Sequence, residues 1–333
     1  MKSWLVGSLV VSLALAGCGG RRTSTGTDTG AAVTCAVDQE TRVAIATGNT
    51  GGVYYVIGNA LATQISSSTG GKLKATAAET GASVQNIQQL VADNYQVAFS
   101  LFDTATDALN GKAAFDGKPA KINALGRIYD NSTHVVVRKD TNITSVAGMK
   151  GKRISTGSPN SGTEVIAQRL LKSAGLDPAT DIAPQRLDIT KTVEGMKAGT
   201  IDGFFWSGGL PTAAITDLFT TTGDKVAFLD LDQVLPEMQK LSSAYQAGTI
   251  PAATYKTPAD VKTIVVPNVL LVREDLDANV ACVLTKTLVE KRDELAKVNA
   301  AAKGITLQNI RKTDPVPLHR GAVKALDDAG AAK

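Results

Sequence analysis

Histidine, cysteine and an excess of either charge are all scarce in this sequence. Its 333 residues include 2 histidines and 3 cysteines, which are not spaced as in a metal site. The 35 basic and 31 acidic residues leave a formal net charge of +4, too small for the concentrated basic face that binds nucleic acid. We therefore expect no metal and no nucleic-acid partner.

Aromatic residues are also few, with 7 Phe, 6 Tyr and 2 Trp. The core must therefore come mostly from Val, Leu, Ile and Ala, as is typical of α/β proteins. The length is enough for two domains of ordinary size.

Long apolar runs are absent, since no stretch reaches the roughly 18 residues of a membrane-spanning helix. The longest, at residues 4–16 after Lys2, is too short to span a bilayer and is typical of a secretion signal. It ends in Leu15-Ala16-Gly17-Cys18, which resembles the bacterial lipobox. We predict a lipoprotein signal peptide at 1–17, lipidation of Cys18 and a Gly/Thr-rich flexible tether at 18–40. The alternative is an ordinary signal peptide that contains a cysteine.

Export to an oxidising compartment would allow the other two cysteines to form a disulfide. Once Cys18 carries lipid, Cys35 and Cys282 remain as an even pair, and we predict a disulfide between them. Two unrelated buried thiols are the alternative.

One local pattern recurs: an apolar strand, a loop of Gly, Ser, Thr or Asn, and an amphipathic helix. The first set begins with the strand Thr41 to Ala46, and the second includes the strand Arg153 to Thr156 and a helix from Glu164 to Ala174. Two such sets predict an α/β protein with two lobes. The late strand Thr263 to Val272 has no set of its own, so we expect the chain to return there to the first lobe. The predicted lobes are 41–134 with 264–333, and 135–263.

The Gly/Ser/Thr loops precede helix starts, where the first backbone N–H groups lack internal partners at the positive end of the helix dipole. Such loops bind carboxylates or phosphates and lie at the carboxyl edge of an α/β sheet. Loops from both lobes facing one cleft would hold an anionic small molecule from two sides. The alternative for any single loop is that its residues only cap the helix, as predicted for Ser83.

Nucleotide and hydrolase motifs are incomplete. Gly157 and Gly162 have the spacing of a phosphate-binding Walker A loop, but Thr163 occupies the position of its lysine, and no GxGxxG follows the first strand. Ser207 lacks the GxSxG nucleophile turn, and only His134 and His319 could act as a base. We expect no cofactor and no catalytic residues.

Four segments in order resemble the TAXI family of TRAP-transporter solute receptors. They are Ala46-Thr47-Gly48-Asn49-Thr50-Gly51-Gly52-Val53-Tyr54-Tyr55, Glu79-Thr80-Gly81-Ala82-Ser83-Val84-Gln85-Asn86, Gly157-Ser158-Pro159-Asn160-Ser161-Gly162-Thr163 and Pro317-Leu318-His319-Arg320-Gly321-Ala322. The resemblance spans roughly residues 41 to 325. It implies a two-lobed periplasmic-binding-protein (type II) fold with the ligand cleft between the lobes. It also implies an extracytoplasmic, non-enzymatic monomer that delivers a small carboxylate to a TRAP-type membrane permease. That carboxylate is a glutamate-like amino acid, a dicarboxylate or an oxoacid.

The resemblance also implies site residues. The first wall of the cleft would be formed by Asn49, Thr50, Gly51, Gly52, Tyr54, Thr80, Gly81 and Ser83. The second wall would be formed by Ser158, Asn160, Ser161, Gly162 and Thr163. Tyr54 and Trp206 are candidate apolar walls, although core packing is the alternative for Trp206. Arg127 is a candidate for a bidentate carboxylate contact or for a hinge ion pair.

Two other classes remain open. A binding protein that serves an ABC importer or a sensor kinase fits the same features, whether it is anchored at a cell surface or in a periplasm. A lipid-anchored hydrolase fits them less well, because the nucleophile motif is incomplete.

Overall fold

A computed structural model describes residues 32–333. The predicted signal peptide, the lipidation site Cys18 and much of the predicted tether lie outside these residues. Of the helices that are described, none combines the length and the apolar character needed to cross a membrane.

In the described part of the chain, ten strands form one mixed sheet. The strands are β1 (Thr41–Ala46), β2 (Leu73–Ala78), β3 (Val97–Leu101), β4 (Ile122–Arg138), β5 (Arg153–Ser155), β6 (Ala183–Gln185), β7 (Gly203–Gly208), β8 (Val226–Phe228), β9 (Gln246–Ile250) and β10 (Val261–Arg273). The helices are α1 (Val53–Ser68), α2 (Ser83–Val91), α3 (Phe102–Leu109), α4 (Gly162–Ser173), α5 (Ile189–Ala198), α6 (Ala213–Thr222), α7 (Leu235–Leu241), α8 (Ala252–Tyr255), α9 (Ala278–Glu290), α10 (Arg292–Val298) and α11 (Arg320–Asp328).

The sheet consists of two parallel halves joined by two long strands. Its order is β2-β1-β3-β10-β4-β7-β5-β6, with β8 on β4 and β9 on β10. The first half is β1 with its parallel neighbours β2 and β3, and the second half is β5 with its parallel neighbours β6 and β7. Between them, β4 and β10 pair with each other in antiparallel register. The lobe boundaries predicted after residues 134 and 263 both fall inside these two connecting strands.

Aliphatic side chains dominate the core, as the composition predicted. In the first half, α1, α9 and α11 bury Leu61, Leu284 and Leu326 against the sheet. The second half buries Phe204 of β7 with helices α5 and α6. A further cluster includes residues of both halves, among them Leu101 and Ile166, so the two halves share buried apolar contacts.

A disulfide joins Cys35 to Cys282 on α9, with the two Cα atoms 5.1 Å apart and a sequence separation of 247 positions. Asn279 on the same helix accepts a hydrogen bond of 2.8 Å from the backbone N–H of Thr34. The segment before β1 is therefore tied to a helix near the end of the chain.

Two predicted helix starts were wrong. Ser83 is the first residue of α2, and Ala82 is its N-cap, because the Ser83 hydroxyl instead accepts a hydrogen bond of 3.1 Å from the N–H of Leu101. Helix α4 begins at Gly162, two residues before the predicted start, because Ser161 caps it by accepting from the N–H of Glu164. The Ser83 side chain thereby joins α2 to the end of β3.

Candidate ligand-binding site

The loops after β1, β2, β5 and β7 meet at one cleft with an empty volume of about 440 Å³. Its lining combines residues of the first half, of the second half and of the connecting strand β4. They are Gly48, Asn49, Gly52, Val53, Tyr54, Ala82, Ser83, Leu101, Tyr129, Asn131, Ser158, Ser161, Gly162, Thr163, Trp206, Ser207 and Gly208.

Nine of the residues named from the sequence lie in this lining, from both predicted walls. They are Asn49, Gly52, Tyr54, Ser83, Ser158, Ser161, Gly162, Thr163 and Trp206. The segments near residues 50 and 160 therefore open onto the same space.

Two other residues that were named from the sequence, Thr50 and Thr80, lie at the edge of the cleft, where hydrogen bonds join neighbouring loops. Thr50 is exposed and donates its N–H to the Glu79 carboxylate at 3.2 Å. The Thr80 hydroxyl donates to the Asn86 side chain at 2.6 Å, and Asn86 in turn donates to the carbonyl of Phe99 at 2.8 Å. Thr80 thus holds the loop in place without facing the cleft.

The remaining edge residues lie where the two halves approach each other. A Cβ on Gly51 would lie 3.0 Å from Cγ2 of Ile189 at the start of α5, and one on Gly81 would lie 2.8 Å from the carbonyl of Pro159. The carbonyl of Asn160 accepts a hydrogen bond of 3.0 Å from the N–H of Gln85. The backbone of the opposite half leaves no room for a side chain at Gly81, whereas a side chain at Gly51 would require Ile189 to shift by a few tenths of an ångström.

Arg127 does not belong to the cleft. Its guanidinium pairs with Asp130 at 2.7 Å, three residues later on β4, and its backbone N–H donates to the carbonyl of Ile310. The structure therefore shows the ion pair on the connecting strand, which was the alternative to a carboxylate contact.

Sequence reasoning missed Tyr129 and Asn131 of β4 and Ser207 and Gly208 of β7, which also line the cleft. Tyr129 and Asn131 are two residues apart, so they lie on the same face of the strand. The polar run from Asp130 to His134 within a mostly apolar strand was the available signal for Asn131.

The two walls touch directly. The Ser158 hydroxyl donates to the Asn49 side-chain oxygen at 3.0 Å, and a Cβ on Gly52 would lie 3.3 Å from the Trp206 ring. A Cβ on Gly162 would lie 2.7 Å from the Ser83 hydroxyl oxygen and would also overlap Leu101. This is a closed arrangement, in which the first and second halves enclose the cleft.

Two helices begin at the cleft without a side-chain cap. The N-cap residues of α1 and α2 are Gly52 and Ala82, and neither accepts a helix N–H with its side chain. Ala82 also has a φ of 78°, a conformation that residues with a Cβ seldom adopt. In the first turn of α2, the N–H of Gln85 donates to the carbonyl of Asn160, whereas no N-cap side chain occupies the N–H groups that precede it or those at the start of α1. These groups lie at the positive end of the helix dipole, where an anion is favoured.

A chain of hydrogen bonds links the two walls through the connecting strands. The Tyr54 hydroxyl donates to the side chain of Asn268 on β10, which donates to the Asn131 side-chain oxygen at 2.8 Å. Asn131 then donates to the Ser207 hydroxyl at 3.4 Å. Burial raises the pKa of Tyr54, so its hydroxyl stays protonated and remains a donor.

Trp206 is held by a second chain of hydrogen bonds. Its indole N–H donates to the Thr212 hydroxyl at 3.1 Å, and the Thr212 N–H donates to the Tyr255 hydroxyl at 2.9 Å. The Tyr255 hydroxyl lies 2.9 Å from Nε2 of His134, whose Nδ1 lies 2.9 Å from the carbonyl of Ser132. Burial lowers the pKa of His134 to about 4, so the ring is neutral at physiological pH and donates from Nδ1.

Neither histidine considered as a hydrolase base reaches the cleft. His134 is fully buried with both ring nitrogens in the contacts just described, and His319 is the N-cap of α11 and accepts from the N–H of Gly321. Both have structural roles here.

Comparison with known proteins now identifies the family. Residues 45–330 match the model of the NMT1-like family. The chain belongs to the NMT1-like family. Among solved structures, a binding-protein component of an ABC phosphonate transporter from Pseudomonas aeruginosa is similar at 14% identity, with a TM-score of 0.54 and 81% of each chain covered.

Two further structures share the architecture. A protein from Bordetella bronchiseptica has 18% identity and a TM-score of 0.54, covering 87% of this chain and 90% of its own. The alkanesulfonate-binding protein of Xanthomonas axonopodis pv. citri, bound to MOPS, has 15% identity and a TM-score of 0.50, covering 88% and 92%. The predicted two-lobed periplasmic-binding-protein-like α/β fold is thus confirmed.

Proposed function

We propose that this NMT1-like protein is an extracytoplasmic solute receptor that captures a small carboxylate between its two halves. The observation that carries the proposal is the pair of uncapped helix starts at a cleft whose two walls come from different halves of the sheet. Backbone N–H groups fixed by secondary structure bind an anion without a further change in their own conformation. Enzymatic activity is not part of the proposal, because neither histidine reaches the cleft.

The proteins of similar fold support an anionic ligand. They include a component of an ABC phosphonate transporter and an alkanesulfonate-binding protein, and both ligand types carry an acidic group bonded to carbon. A carboxylate presents the same kind of oxygen acceptors to helix N–H groups.

For the transport partner, we propose a TRAP-type permease, on the strength of the four segments that resemble the TAXI receptors. An ABC importer is the second candidate, and the ABC-transporter component among the similar structures favours it. A permease gene of either type next to this one would separate the two. A sensor kinase remains a third client for the same receptor.

Attachment and domain organisation complete the proposal. Signal peptidase would remove residues 1–17, lipid on Cys18 would anchor the protein to the bacterial cell membrane, and 18–40 would act as the tether. The lobes would be 41–134 with 264–333, and 135–263, and the receptor would act as a monomer.

Lobe closure is the proposed mechanism. A ligand shifts an open–closed equilibrium only by binding the closed form more tightly, which requires contacts from both halves. The lining meets this requirement, with Ser83 on one side and Ser161 and Thr163 on the other. The permease would recognise the closed form.

The test is a thermal-shift and calorimetry screen of the mature chain, with Cys18→Ser to prevent lipidation. The panel contains dicarboxylates, oxoacids, amino acids, phosphonates and alkanesulfonates. A ligand at 100 times its Kd should stabilise the protein by about 2.7 kcal/mol. Small-angle scattering should show compaction with the same ligand.

A matched pair of variants tests whether the ligand binds in the cleft. Trp206→Ala, in the lining, should weaken binding, whereas Phe115→Ala truncates a buried aromatic outside the lining and should leave the affinity unchanged. No carboxylate binding, or equal loss of affinity in both variants, contradicts the proposal.

A further inference from the structure

The side chains that line the cleft are uncharged, and this bears on which carboxylate the proposed function would take. Among residues 32–333, none of those that line the cleft carries a charged side chain. An anion and a zwitterion differ in what they need from such a lining. An anion is satisfied by N–H and O–H donors, whereas an ammonium group removed from water needs a carboxylate or several free acceptors.

Two carboxylates that are close in sequence to the lining residues Thr163 and Leu101 are already occupied. Glu164, in the first turn of α4, accepts from Arg186 at 2.9 Å and from the N–H of Asn160 at 2.9 Å. Asp103 on α3 accepts from Arg169 at 3.1 Å and from the Tyr245 hydroxyl at 2.5 Å. Neither is left for a ligand ammonium group.

The two side-chain amide oxygens of the lining are occupied in the same way. The Asn49 side-chain oxygen accepts from Ser158 at 3.0 Å, and the Asn131 oxygen accepts from Asn268 at 2.8 Å. Both amide groups are used to join elements of the protein.

Two hydroxyls of the second half instead keep a proton to donate. The Ser161 hydroxyl accepts from the N–H of Glu164 at 3.0 Å, and the Thr163 hydroxyl accepts from the N–H of Ser207 at 3.2 Å. Because a hydroxyl has one proton of its own, each can still donate one hydrogen bond.

Tyr129 provides an independent observation. Tyr129 is one of the residues that line the cleft and is 2% exposed, yet its hydroxyl has no hydrogen-bond partner in the described chain. Buried polar groups are almost always paired, and an unpaired one is destabilising. A ligand oxygen beside this hydroxyl would supply the missing acceptor.

We infer that the ligand is a small organic oxyanion without an ammonium group, and that the Tyr129 hydroxyl donates a hydrogen bond to one of its oxygens. This inference rests on the proposed function and narrows it. Of the three carboxylate classes considered, oxoacids and dicarboxylates fit the lining, and amino acids do not. Val53, Leu101 and Trp206 provide apolar surface for the carbon chain of the ligand.

The first experiment compares ligands that differ only at the amino group. Isothermal titration of the mature protein uses 2-oxoglutarate against glutamate, pyruvate against alanine, and succinate against aspartate. In at least one pair, the member without the ammonium group should bind 100-fold or more tightly than the amino acid. An amino acid that binds in the cleft as well as its partner overturns this inference and leaves the proposed receptor function standing. If no member of the panel binds, both fail.

The second experiment tests the hydroxyl with one substitution at two tyrosines. Tyr129→Phe removes a hydroxyl that lacks a partner, so it should weaken ligand binding about 10-fold while the melting temperature without ligand stays the same or rises. Tyr54→Phe removes a hydroxyl that donates to Asn268, so it should lower the melting temperature without ligand. An unchanged affinity in Tyr129→Phe, or a fall in its melting temperature like that of Tyr54→Phe, overturns the role of Tyr129.

Discussion

At the scale of single residues, Gly162 shows how closely the two walls approach. It is the first residue of α4, and a Cβ there would lie 2.7 Å from the Ser83 hydroxyl oxygen of the opposite wall, with Leu101 closer still. The helical backbone at this position accepts alanine, so the restriction comes only from the other half of the protein. Gly162 is therefore a sensitive probe of closure.

Gly162→Ala should weaken ligand binding without lowering the stability of either half of the protein. Overpacking typically costs about 1–3 kcal/mol, which here falls on the closed form and corresponds to roughly 5- to 150-fold in Kd. Calorimetry measures this loss. Gly148→Ala is the matched control, because its added Cβ would lie no closer than 3.7 Å to a neighbour. Equal affinities in the two variants would show that this contact does not limit closure.

Residue-level predictions were most useful where function depends on loop backbone. Asn49, Gly52, Ser161 and Gly162 were named because the segments that contain them resemble those of the TAXI receptors, and such a segment is a local property of the sequence. Tyr129 was missed because its importance depends on a cleft formed by segments far away in sequence.

At the scale of elements, α3 and α4 are joined across the two halves by an ion-pair cluster of Asp103, Asp107, Arg169 and Tyr245. Arg169 on α4 pairs with Asp103 at 3.1 Å and Asp107 at 2.5 Å, both on α3. Its guanidinium also lies 5.9 Å from the centre of the Tyr245 ring. The Asp103 side chain is fully buried, so this cluster links the halves in a region largely shielded from water.

Arg169→Met should favour the open form. Removing one partner of a buried ion pair costs about 3–5 kcal/mol, because the remaining charge is left buried. We expect a larger radius of gyration without ligand and weaker ligand binding, measured by scattering and calorimetry. Adding Asp103→Asn and Asp107→Asn should recover part of the loss, since the uncompensated charges are then gone.

Arg186→Met is the control for this prediction. Arg186 also pairs with a carboxylate, that of Glu164, but both residues belong to the segment between β5 and α5, within the second half of the protein. It should leave the radius of gyration unchanged. The same expansion in both variants would mean that the cluster does not control closure.

At the scale of the whole molecule, the disulfide between Cys35 and Cys282 ties the beginning of the described chain to its late helices. The cross-link encloses most of the described fold, because its ends are 247 positions apart in the sequence. In the chain-entropy model such a long loop stabilises the folded state by at most about 5 kcal/mol, through restriction of the unfolded chain.

Replacing both cysteines, Cys35→Ser with Cys282→Ser, should lower the melting temperature by up to about 10 °C. Ligand affinity should stay within about 2-fold, because neither cysteine lines the cleft. Treating the unmodified protein with a reducing agent should have the same effect, and treating the double variant should have none. A melting temperature that reduction leaves unchanged would contradict the predicted contribution.

The sequence alone determined the alternation of strands and helices, the aliphatic core and the glycine-rich helix starts, since each depends on residues only a few positions apart. The four ordered segments also indicated a two-lobed receptor before any coordinates. Tertiary structure decided that Arg127 pairs with Asp130, that Tyr129 and Asn131 join the lining, and that α3 and α4 share an ion-pair cluster. These contacts depend on the pairing of β4 with β10, the two strands that run between the halves. The register of this pairing brings together residues far apart in the chain, and no local pattern specifies it.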